Sequence, residues 1–176
     1  MSPRLEKITP DNVEAACEVR VRPDQEHLIE PVARSLAEAY AWGEIAWPRL
    51  VVDDGRPVAF LMGFFRIPWR PDDPADLRSG LWRLNVAADR QGQGLGRYAV
   101  AAVCAEARRR GENRIFTTWE EGEDGPEEFY LRLGFRRTGE RSGEQIVGEL
   151  DLTGEAAHRL LALADAGSAA AGPAGR

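Results

Sequence analysis

The most chemically specific stretch of the chain is Gln91-Gly92-Gln93-Gly94-Leu95-Gly96-Arg97. An apolar run at 81–86 precedes it and a long helical pattern at 95–110 follows it. A helix N-terminus exposes unpaired N–H groups and carries partial positive charge. Glycines let the backbone come close to an anion. Strand, glycine-rich turn and helix in that order make a phosphate site. Two well-known phosphate loops fit it poorly. A P-loop ends in Gly-Lys-Ser/Thr, and this stretch holds no lysine. A dinucleotide fingerprint can be laid on Gly94, Gly96 and Ala99, with Glu120 beyond the next strand. That motif follows its strand at once, whereas Ala87 to Gln93 intervene here. Acidic residues form a second group. Asp24, Glu26 and Glu30 lie between the first two helices, and Glu120, Glu121, Glu123 and Asp124 follow the strand at 115–119. Facing one cleft, they would attract a cation. As two solvated loops, they would recognise nothing.

Gln91-x-x-Gly94-x-Gly96 resembles the Q/R-x-x-G-x-G/A signature of the GNAT superfamily of N-acetyltransferases. Further on, Phe129-Tyr130-Leu131-Arg132-Leu133-Gly134-Phe135 is similar to that family's F/L-Y-x-x-x-G-F motif. The order of the two motifs, and the strand and helix around the first, agree with the family, and the resemblance spans 51–152. It implies acetyl-CoA as cofactor. Leu84, Asn85 and Val86, with Ala87 and Ala88 next, would pair their backbone with pantetheine. The N–H groups of Gln91, Gly92, Gln93, Gly94, Leu95 and Gly96 would hold the pyrophosphate, and Arg97 would add a charged contact. Tyr130 matches the tyrosine that protonates the departing thiolate. One departure matters. Many members carry asparagine seven residues before this tyrosine, where this chain has Glu123, and Pro126 stands where alanine is common, so that loop is built differently.

The nucleophile implied by the resemblance is an amine of the substrate. It must be neutral to attack a thioester, yet alkylamines are mostly charged near pH 7. A base is therefore required, with Glu120 the first candidate and Glu26 and Glu30 others. Residues 21–31, the Ser35-Leu36-Ala37-Glu38-Ala39-Tyr40 run and Gly125-Pro126 look like the bacterial spermine/spermidine acetyltransferase subfamily. That implies a polyamine acceptor, with Asp24, Glu26 and Glu30 binding it. An aminoglycoside-type or peptide amine and a non-catalytic CoA-binding regulator stay open as alternatives. Transfer would be direct, within a ternary complex. A strand N–H near Asn85 or Val86 would polarise the thioester carbonyl.

The elements that must position these residues follow from periodicity and turn residues. A short strand at 5–8 leads to Thr9-Pro10, which opens a helix that Pro23 ends. A second helix runs from Glu30-Pro31 through Tyr40. Strands at 45–52 and 57–67 flank the turn Asp53-Asp54-Gly55, a hairpin signal. Residues 68–79, with three prolines, read as an exposed loop. After the strand at 81–86 come the motif helix, the strand at 115–119, a short helix at 126–133 and a hairpin of 135–139 with 144–152. A last helix spans 153–165. The whole predicts an α/β fold in one domain, residues 1–165, with a mixed, mostly antiparallel central sheet flanked by helices. Residues 166–176 read as a disordered Ala/Gly tail.

Composition bounds the partners. A net charge of −6 disfavours nucleic acid and an anionic membrane. The two cysteines, Cys17 and Cys104, form no C-x-x-C pair, so neither a disulfide framework nor a metal site is expected. The N-terminus lacks the apolar core of a signal peptide, which leaves a cytoplasmic location as the default. A homodimer through the last hairpin or the terminal helix is compatible with the family.

Overall fold

The computed structural model describes residues 3–122 and 125–170. Seven strands form one sheet in the order β1-β2-β3-β4-β5-β7-β6. They are β1 (Arg4–Lys7), β2 (Ala46–Asp53), β3 (Arg56–Arg70), β4 (Asp73–Val86), β5 (Arg114–Trp119), β6 (Arg136–Ser142) and β7 (Gln145–Asp151). Every neighbouring pair is antiparallel except β4 and β5. The helices are α1 (Val13–Cys17), α2 (Val32–Trp42), α3 (Leu95–Arg109), α4 (Glu127–Arg132) and α5 (Glu155–Ala170). This is the mixed, mostly antiparallel α/β sheet that the sequence predicts. Among the described residues, no helix is long and apolar enough to cross a membrane.

Strand periodicity divides the core between the two faces of the sheet. Val51, Ala59 and Leu61 join α3 and α5 on one face. Their neighbours Leu50, Val52, Phe60 and Met62 join α1 and α2 on the other. The continuous apolar run of β3 is thus a strand buried on both sides. Asp54 and Gly55 both take positive φ, 50° and 77°, which matches the twist of a two-residue hairpin turn.

Three expectations need correction. Residues 68–79 are not a loop. They form the outer arm of the β3–β4 hairpin, with Pro68 opposite Leu77 and Arg70 opposite Asp73. Side chains hold this arm down. Trp69 stacks on Phe64 and Phe116 with centroids 6.3 and 6.5 Å away. The buried Arg78 lies 4.9 and 4.6 Å from the Trp69 and Phe116 ring centroids and pairs with Asp76 and Glu140. The first helix is also shorter than its apolar spacing suggests. The Asn12 side chain accepts the Thr9 N–H at 2.8 Å and donates to the Lys7 carbonyl at 2.9 Å. Such side-chain bonds compete with helix formation. Finally, α5 continues to Ala170, past the predicted start of the tail, because alanine is the best helix former. Residues 171–176 lie outside the described residues, as do Glu123 and Asp124.

Candidate active site

The site opens where β4 and β5 part. The two parallel strands share one register pair, Gly80 opposite Phe116. A Cβ on Gly80 would stand 1.8 Å from the Phe116 carbonyl oxygen, so only glycine permits this approach. Two residues on, β4 carries a bulge. Leu81 faces Gly63 and Arg83 faces Met62, leaving Trp82 as the extra residue. Beyond this point a cavity of about 940 Å³ lies between Trp82, Arg83, Leu84 and Val86 on one strand and Thr117, Thr118, Trp119 and Glu120 on the other. Residues 25–31 form one wall. The loop before α3 forms a second, and the start of α4 with Gln145 forms a third.

The loop is built to present backbone donors. Gly92 and Gly94 take φ of 76° and 83°, and Gly94 is the N-cap of α3. Gly96 sits against Phe129, whose ring would lie 3.2 Å from an added Cβ. Two side chains fix the loop from behind. The Gln91 amide donates to the Val86 carbonyl at 3.2 Å and to Gln25 Oε1 at 2.7 Å. Arg90 donates to Gln93 Oε1 at 3.0 Å and pairs with Asp53, which is 1% exposed. Sequence reasoning missed Asp53 and Arg90. The only local signal was an acidic residue at a turn, already explained by the turn itself.

Of the cofactor residues implied by sequence, Leu84, Val86, Gln91, Gly92, Gly94, Leu95, Gly96 and Arg97 line the cavity. Asn85, Ala87, Ala88 and Gln93 do not. Asn85 is buried on the opposite face, where its amide donates to the Glu30 carbonyl at 3.0 Å. The Ala87 and Ala88 N–H groups are committed to the Val58 and Arg20 carbonyls, both at 2.9 Å. They therefore have no N–H left for pantetheine. Gln93 turns outward to the Arg90 guanidinium.

Tyr130 lines the cavity from α4 inside an aromatic box. It stacks on Trp119 with centroids 5.4 Å apart and meets Phe129 and Phe135 edge-on. Burial pushes its phenol up to about 12, while a hydrogen bond from Thr117 works the other way. The phenol therefore keeps its proton throughout the neutral range. Cys104 is enclosed in the core and its thiol is pushed up to about 12 by burial. Neither cysteine lines the cavity.

The acidic residues separate. Glu26, Glu30 and Glu120 line the cavity. Asp24 does not, and pairs with Arg22 at 3.2 Å. Glu121 is held by Arg141 and Arg137, which keep its carboxyl below the usual range. His27, which sequence reasoning gave no role, is on the wall with Leu28 and Ile29. Thr118 donates to Gln145 at 2.7 Å across the far side.

The sequence model of the Acetyltransferase (GNAT) family matches residues 13–135. The chain belongs to the GNAT acetyltransferase family. As a GNAT protein it is an acetyl-CoA-dependent N-acetyltransferase. Solved structures share its fold. An acetyltransferase from Thermus thermophilus superimposes with a TM-score of 0.65 at 20% identity, covering 86% of this chain and 98% of its own. PaiA N-acetyltransferase from Thermoplasma acidophilum, in complex with coenzyme A, gives 0.63 at 12% identity over 86% and 99%. The ribosomal-protein-S18-alanine N-acetyltransferase of Escherichia coli gives 0.60 at 18% over 85% and 93%. No curated protein matches the chain in sequence. The cavity suits acetyl-CoA on its own geometry. A helix N-terminus with two positive-φ glycines borders one end, and two strands stand apart beyond Gly80.

Proposed function

We propose that this GNAT protein acetylates a small cationic amine, with polyamines such as spermidine and spermine first, by direct attack within a ternary complex. The observation that carries this reading is the lining of one continuous cavity by three kinds of group. The loop residues at 91–97 (all but Gln93), Tyr130 and the acidic residues Glu26, Glu30 and Glu120 all border it. The cofactor supplies an activated acetyl thioester. Backbone N–H groups of the loop, with Arg97, hold its pyrophosphate. Leu84 and Val86 flank the pantetheine arm. Glu26 and Glu30 attract the charged amine, and Glu120 takes its proton directly or through water. Tyr130 donates its proton toward the leaving sulfur. The absence of any cysteine from the lining supports direct transfer over an acyl-enzyme.

A free-thiol release assay with acetyl-CoA tests this reading against spermidine, spermine, putrescine, aminoglycosides and short peptides. Turnover with polyamines is expected, with a higher KM in Glu26→Gln/Glu30→Gln. Turnover confined to peptide N-termini would replace the polyamine with a protein acceptor. Parallel lines in bi-substrate kinetics would overturn direct transfer.

A further inference from the structure

The wall at 25–31 is fastened to the rest of the protein at three points. At its approach, the Ala88 N–H donates to the Arg20 carbonyl at 2.9 Å. At its end, the Asn85 amide donates to the Glu30 carbonyl at 3.0 Å. These two bonds reach the end of β4 and the short turn just after it. The third bond is different. Gln25 Oε1 accepts from the Gln91 amide at 2.7 Å, and Gln91 opens the glycine-rich loop that borders the cavity. Gln25 and Gln91 both line the cavity. Among the hydrogen bonds of the described residues, this is the one that joins the wall to the loop itself. The same Gln91 amide also holds the Val86 carbonyl at 3.2 Å. The orientation of one side chain thus sets the loop, the strand end and the wall together.

We infer that Gln25 is a positioning residue that couples the acceptor wall to the pyrophosphate loop, so that ordering the loop around CoA also orders residues 25–31. The inference rests on the acetyl-CoA reading of the loop. A side chain that bridges two segments transmits order only while its bond is made, so the coupling is a property of this pair. Gln25→Met keeps the length of the side chain and removes the acceptor oxygen. Gln25→Glu keeps an oxygen for the Gln91 amide. Neither change places a group in the buried core.

Hydrogen exchange of the full chain, read by mass spectrometry with and without CoA, tests the coupling. In the wild-type protein, CoA is expected to slow exchange by about tenfold or more both at 91–97 and at 25–31. In Gln25→Met the slowing at 91–97 remains and that at 25–31 falls below about twofold. Gln25→Glu restores it. Slowing at 91–97 without any at 25–31 in the wild type, or equal slowing in Gln25→Met, overturns the coupling alone. No slowing at 91–97 removes the cofactor reading, and the inference with it.

Discussion

Tyr130 is held by rings on three sides, so removing its hydroxyl leaves the box standing. Tyr130→Phe is expected to fold normally and bind CoA as the wild type does. Its kcat is expected to fall by about a hundredfold or more, the usual worth of a positioned general acid. Calorimetry and turnover measure the two parts separately, and full activity in Tyr130→Phe would remove the acid from Tyr130. The place of Tyr130 on the cavity was legible in the sequence because a local motif sets it. Asp53 and Arg90 were not, because a pair formed across 37 residues leaves no periodic trace. Ala87 and Ala88 show what a motif alone leaves out. Counting along the strand extends the pantetheine contact to them, but Val58 and Arg20 already claim their N–H groups. Which donor is free is decided by neighbours in space.

At the scale of elements, the parting of β4 from β5 makes the cavity, and Gly80 is its hinge point. Gly80→Ala would drive a methyl group into the Phe116 carbonyl, which is main chain and cannot swing aside. Overpacking of this kind costs about 1–3 kcal/mol. Urea unfolding should register that loss together with weaker CoA binding, and unchanged stability would show that the strands yield more easily than described. The elements that build the cavity were legible where one signal sufficed. The turn at 54–55 and the helix after the glycines are examples. The arm at 68–79 was not, because three prolines and many charges describe an exposed loop equally well. Trp69 stacks on Phe64 of its own strand and on Phe116 of β5, Arg78 of β4 lies against the Trp69 and Phe116 rings, and only the fold brings these together. The late start of the first helix has a smaller reason: one asparagine side chain satisfies the backbone of 7–9 as a turn.

For the molecule as a whole, the same arm supplies an acid-sensitive link between β4 and β6. Arg78, then Arg70, hold the Glu140 carboxyl down to about 2 by hydrogen bonds. A free glutamate titrates near about 4.3. The link therefore contributes fully above that value and is lost as pH falls toward about 2. Glu140→Gln should lower Tm at neutral pH. The gap from the wild type should close between about pH 4.5 and pH 2, and thermal melts across that range measure it. A gap that persists at the acid end would place the effect in packing instead of charge. The fold class and the family signature were legible at this scale, since both follow from the order of elements and two motifs. The acceptor was not: under the proposed function it turns on which side chains of residues 25–31 border the cavity, and no local pattern gives that. The fastening of that wall has a consequence for how such a protein diversifies. Its frame hangs on the Glu30 main-chain oxygen and the Gln25 amide, while Glu26 and His27 stand exposed on the wall. If this wall meets the acceptor as proposed, substrate preference becomes a replaceable part: positions 26 and 27 can be rewritten without redesigning the frame that holds them.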